Sequence, residues 1–98
     1  MNKCFVIGYI VSEVEFKFIL NGKNNSITKF SLKLLNGSII KIITYDEVAD
    51  FCIQKLAPKM FISVFGFLNS DINIIACKIE EINGNCIHRI KSLPLICM

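Results

Sequence analysis

The 98-residue chain has little material for catalysis or metal binding. Its one histidine, His88, has no carboxylate close by in sequence, so no acid–base pair can be built around it from local residues. Glu80 and Glu81 are adjacent, and on a strand adjacent side chains point to opposite faces, which separates the two carboxylates. The five cysteines (Cys4, Cys52, Cys77, Cys86 and Cys97) are odd in number and contain no CxxC pair. They signal neither a disulfide framework nor a zinc site and read as small core hydrophobes. The "LNGK" turn is too short for a phosphate-binding loop and lacks its strand-to-helix context. No enzyme, metal or cofactor is expected.

Long apolar runs and tryptophan are missing too. The N-terminal "MNKCFVIGYIVSEVEF" has an apolar stretch of about eight residues before Ser12 and Glu13, short of the ~20 that span a bilayer. It also lacks a small-residue cleavage site, so a cytoplasmic protein with no membrane partner is expected. Low-complexity linkers and internal repeats are absent as well. What remains is a chain that is 53% apolar, enough for one core and too short for a second domain. A net charge of +3 permits a polyanionic partner without requiring one.

The apolar residues fall into short β-like runs punctuated by Asn, Gly and Ser. The first run, 3–19, is long for one strand and contains Gly8, which predicts a bulge or bend between Gly8 and Ser12. Runs at 26–35 and 38–44 flank an Asn36-Gly37 pair and predict a hairpin. A two-residue loop would pair Leu32 with Lys41 and push a lysine onto the face of Phe30, Leu32 and Leu34. A three-residue loop, Leu35-Asn36-Gly37, with Gly37 left-handed in a G1-bulge turn, avoids this. It gathers Phe30, Leu32, Leu34, Ile40 and Ile42 on one face and Lys29, Ser31, Lys33, Ile39, Lys41 and Ile43 on the other. Lysines of neighbouring strands then lie close together, a cost that an anionic ligand would relieve.

A helix is predicted over 44–57, with Thr44 and Glu47 as a capping box, Asp46, Glu47 and Asp50 in its first turns, and Lys55 near its end before Pro58. Val48, Phe51, Cys52 and Leu56 would form its buried face. Strands at 59–68 and 72–82 follow, with only "NSD" between them. Five strands with a helix between the third and fourth is the order of an all-β, five-stranded OB-fold Greek-key barrel, expected over 1–83 with a C-terminal extension at 84–98.

Several stretches resemble the bacterial single-stranded DNA-binding protein family. "NKCFVIGYIVSEVEFKFILNGK" is similar to that family's opening strand, with Asn2, Lys3, Ile7, Gly8, Glu15, Lys17, Phe18, Asn21 and Gly22 in matching places. "KFSL" resembles its second strand, "DEVADFCIQKL" its helix, and "ISVFGFL" and "ACKIEEI" its last two strands. The resemblance implies an OB fold that binds single-stranded DNA, with RNA left open, and assembles as a homodimer or homotetramer in contact with replication proteins. The chain departs from the family in having no tryptophan for base stacking and in having both hairpin arms cut to "LNG" and "NSD". Its ending, "CIHRIKSLPLICM", is apolar and basic where the family has an acidic tail, so recruitment through a tail is not expected. The short primosomal replication proteins are a tailless subgroup that it also resembles.

Two functions are open on this reading. One is weak, non-specific single-strand binding with Lys17, Lys29, Lys33 and Lys41 on phosphates and Tyr45, Phe65 and Phe67 against bases. The other is an oligomerising or partner-binding OB module with little DNA binding. On β parity, Phe61, Phe65 and Phe67 share one face of the fourth strand and Ile62, Val64 and Leu68 the other, and both faces are apolar; the resemblance assigns the second set to the core, which would leave Phe65 and Phe67 exposed for bases or a second subunit to cover.

Overall fold

The computed structural model describes residues 2–20, 24–82 and 96–97. The first run is bent as its composition requires: β1 (Asn2–Ile10) and β2 (Glu15–Leu20) are its two halves. The bend is tied to the next strand, β3 (Asn24–Leu34), by two bonds. Val11 N–H donates to the Ser31 carbonyl at 3.0 Å, and Ser31 N–H donates to Ser12 Oγ at 2.8 Å. Then come β4 (Ile39–Tyr45), α1 (Asp46–Lys55), β5 (Phe61–Leu68), β6 (Ile74–Glu81) and a two-residue β7 (Ile96–Cys97).

The bent first strand closes the sheet on itself. β1 pairs antiparallel with β5 along its length and with β3 at Gly8–Ile10, while β3 pairs with β4, β4 runs parallel to β6, and β6 returns to β5. With β1 and β2 counted as one strand, this is a closed five-stranded OB barrel with a helix between the third and fourth strands. β7 adds to β1 at Cys4 and Phe5. Gly8 permits the closure, since a Cβ there would fall on the Lys33 carbonyl oxygen. The core is made by Val6, Ile10, Phe30, Leu32, Ile42, Ile62, Val64 and Ile74. Each such side chain contributes roughly 1.5–3 kcal/mol on burial.

The hairpin adopts the three-residue register. Gly37 is left-handed (φ +92°), its N–H donates to the Leu34 carbonyl at 2.9 Å, and Leu34 N–H donates to the Ser38 carbonyl at 2.8 Å. Lys33 therefore faces Ile39, and Lys41 faces Ser31. The lysines of the two strands are diagonal neighbours, about 7–8 Å apart by sheet geometry, which makes their repulsion milder than direct opposition would.

Three local expectations need correction. Thr44 does not cap the helix: it is buried in β4 and its hydroxyl is hydrogen-bonded to that of Thr28 across the ladder, so Tyr45 is the N-cap and has no side-chain cap bond. The buried helix face is Ala49, Cys52 and Leu56, whereas Phe51 is 40% exposed beside Val48 in a groove against Cys77 and Ile79. Cys77 is exposed and not part of the core, because it is the extra residue of a β-bulge: Phe65 pairs with Lys78 and Gly66 with Ala76. Cys4 and Cys52 are buried as expected. Burial pushes the Cys52 thiol pKa up, against the opposing pull of hydrogen bonds with Thr44 and Thr28. His88, Cys86 and the Asn21-Gly22 turn lie outside the described residues.

Candidate nucleic-acid interface

In antiparallel pairs, directly opposed residues share a face, so the registers around β3 define the outer surface row by row. The first row reads Tyr9, Lys33, Ile39 across β1, β3 and β4, and the second Ser31, Lys41 across β3 and β4. The third reads Glu15, Lys29, Ile43 across β2, β3 and β4, and the fourth Lys17, Ile27, Tyr45. From Lys33 to Ile27 the rows cover seven residues of β3, a span of about 20 Å at strand rise. The result is a diagonal of lysines with a tyrosine at each end. All four lysines are exposed, and none has an ion-pair partner among the described residues, where Lys78 and Glu80 form the ion pair present. Glu15, directly across from Lys29, is the carboxylate that shares these rows.

A hollow of about 450 Å³ is lined by Lys17, Lys29, Lys41, Glu15, Phe16, Ile19 and Ile27. Cationic heads on an apolar floor suit a strand whose phosphates are charged and whose sugars and bases are not. The turns at either end are tight. Leu35-Asn36-Gly37 closes one hairpin, and in the other Asn69 Oδ1 accepts from the N–H groups of Asp71 (2.9 Å) and Asn73 (3.0 Å). Neither turn projects an arm over the face.

The structure thus brings together five of the seven expected site residues: Lys17, Lys29, Lys33, Lys41 and Tyr45. It does not bring Phe65 and Phe67 to them. Those two lie on the outer face of β5, where Phe65 faces Phe5 and Lys78 and Phe67 faces Lys3 and Ile75. They are half-buried, not exposed as expected, because β1 and β6 flank them on both sides. The division of β5 into core and outer sets is as expected, with Ile62 and Val64 fully buried.

Tyr9 was missed by sequence reading. Strand parity separates it from the core residues Gly8 and Ile10, but nothing local shows that Lys33 lies across from it. Among the described residues no group of three His, Cys, Asp or Glu side chains could hold a metal ion, and no helix is long and apolar enough to cross a membrane.

No family model and no curated protein sequence matches the chain. Solved structures do match. The single-stranded DNA-binding protein of Thermus aquaticus superposes with a TM-score of 0.73 at 14% identity, over 85% of this chain and 41% of the Thermus chain. This chain therefore spans less than half of that protein's length. The SSB domain of a Synechococcus protein gives 0.71 at 13% identity, over 82% of this chain and 94% of the other. The second single-stranded DNA-binding protein of Mycobacterium smegmatis gives 0.68 at 17%, over 87% and 92%. At these identities the likeness establishes a shared fold.

Proposed function

We propose that the chain binds single-stranded DNA weakly and without sequence preference, as a cytoplasmic, non-catalytic protein of DNA replication, recombination or repair. The observation that carries this reading is the diagonal of four unpaired lysines across β2, β3 and β4, ended by tyrosines and set on the fold of single-stranded DNA-binding proteins. Lysines on one open face attract phosphates and release counterions on contact, giving a log–log salt slope of about 0.7 for each phosphate neutralised on a single strand. Four lysines and tight turns allow few such contacts and no enclosure, so affinity is modest and falls quickly with salt. Fluorescence anisotropy with labelled oligo-dT at low and moderate salt tests this, and an oligo-rU arm decides between DNA and RNA. Absence of binding at low salt would falsify the reading.

One feature favours the second reading, an OB module acting through oligomerisation or, like the primosomal proteins, through replication partners. Phe5, Phe65 and Phe67 form a half-buried apolar patch on the outer face of β1 and β5, bordered by Lys3 and Lys78 and away from the lysine diagonal. A second copy of the chain would cover it, giving a homodimer or, with two interfaces, a homotetramer. The first-strand edge is less open to a partner, because β7 pairs with it at Cys4 and Phe5. Light scattering at tens of micromolar tests the assembly part of it, since a clean monomer removes self-association and leaves the first reading intact.

A further inference from the structure

Beyond the lysine diagonal, the geometry points to a base-stacking subsite at Tyr9, outside the hollow and at the opposite end from Tyr45. We propose that the Tyr9 ring is a platform for one unpaired nucleobase, with Lys33 and Lys59 holding the phosphates on either side of it. The proposal rests on the single-strand reading above and adds to it a position where bases, and not phosphates alone, are held.

Three observations carry it. The first is that Tyr9 is 45% exposed, yet its ring is held in place: the centroid lies 4.5 Å from that of Phe61 at an interplanar angle of 41°, and Phe61 is itself buried. A ring fixed against an aromatic neighbour and open elsewhere stacks on a ligand with little loss of its own freedom.

The second is a groove of about 500 Å³, lined by Tyr9, Ile10, Val11, Pro58 and Lys59. Its apolar lining suits the face of a base. Its walls are fixed by backbone bonds, with Lys59 N–H donating to the Ile10 carbonyl at 2.7 Å and Ile10 N–H donating to the Met60 carbonyl at 2.9 Å. Lys59 adopts a left-handed backbone (φ +77°) in making this bond, a conformation that costs energy for a non-glycine residue and recurs at binding sites.

The third is charge. Lys33 is the direct cross-strand partner of Tyr9, and Lys59 lies on the groove wall, so the ring has exposed cations on two sides. The lysine diagonal then leads a strand toward Tyr9, where β1 joins the rows.

The chain has two tyrosines and no tryptophan, which makes tyrosine emission a direct reporter. In a Y45F background Tyr9 is the sole emitter. Titration with oligo-dT at low salt should quench it in step with the anisotropy of the labelled strand. Y9F should keep affinity near the parent's because it keeps the ring, while Y9L should weaken binding roughly tenfold with an unchanged salt slope, since no charge is removed. If oligo-dT binds by anisotropy while Tyr9 emission stays constant, the proposal is overturned and the single-strand reading stands, whether or not Y9L folds. If Y9L changes the molar mass by light scattering and leaves oligo-dT affinity untouched, the groove takes a protein side chain and the proposal fails. If the parent does not bind oligo-dT at low salt, both fail together.

Discussion

The outer surface of the barrel has two unlike halves. Over β2, β3 and β4 the outward positions are rich in lysine and closed by a three-residue turn; over β1 and β5 they are mostly apolar, with Phe5, Ile7, Phe61, Phe65 and Phe67 beside Lys3, Tyr9 and Ser63. Both halves use the same period-two alternation and the same core, so the difference lies wholly in what the outward residues are asked to meet. Ile7 and Phe61 are already buried by their neighbours, and the apolar half therefore needs only a little more cover. The lysine half holds one carboxylate, Glu15 across from Lys29, and none of its four lysines is in an ion pair among the described residues. A surface that leaves charge unpaired fits a soluble polyanion, and one that leaves aromatic edges half-covered fits another protein surface.

If that division is real, the halves should fail separately, except where they share a seam. Gly8 is the seam, because β1 meets β3 there and a side chain would collide with the Lys33 carbonyl. Gly8→Val should cost about 3 kcal/mol or more and lower the thermal midpoint sharply in circular dichroism, with binding and assembly lost together. A variant that melts like the parent would show that the closure is looser than described.

The next largest effect is expected from Lys33→Glu with Lys41→Glu. Oligo-dT binding should vanish in anisotropy at low salt, while the thermal midpoint stays or rises slightly, because the 33/41 diagonal keeps a like-charge pair of reversed sign and position 41 gains an opposite charge on its diagonal with Lys29. Molar mass in light scattering should not move. Unchanged oligo-dT affinity would make the lysine half merely a solvated surface.

Phe65→Ser with Phe67→Ser is the mirror experiment. It should shift sedimentation toward the monomer and reduce low-salt DNA affinity by only a few-fold, an effect of lost avidity. A large loss of affinity in the monomer would instead put bases on the apolar half and erase the division. Gly37→Ala is the mildest, expected to destabilise by about 1 kcal/mol in denaturant titration because it forces a side chain into φ +92°. Affinity should hold, since the Cβ meets nothing within 4 Å.

Much of the lysine half is legible in the sequence. The turn at Asn36-Gly37 admits two registers, and the cost of a lysine in the core chooses between them, which fixes the outward set from Lys29 to Ile43. The element order follows from the helix signals between β4 and β5. What escapes local reading depends on residues distant in the chain. Thr44 looks like a cap until Thr28 is found across from it; Cys77 looks like core until the bulge opposite Phe65 and Gly66 turns it outward; Phe51 looks buried until Ala49 and Cys52 prove to be the buried helix positions. Tyr9 belongs to the same group, since its role depends on a strand that begins fifteen residues later.

The β4–β6 junction gives the barrel a preferred line of opening. Among the described residues it is the only parallel pairing and has two register pairs, Ile42 with Ile74 and Ile43 with Ile75, whereas β3–β4 has seven. Parallel pairing is slightly weaker per residue, so this gate parts at lower free energy than the hairpins beside it. Successive amides on a strand point to opposite sides, so whichever of the Ile74 and Ile75 amides faces β4 should exchange with deuterium ahead of those in the middle of β3, while the other is turned toward β5. The lysine hairpin keeps its shape during such breathing, and a strand lying on it would ride on one rigid leaf while the other swings away.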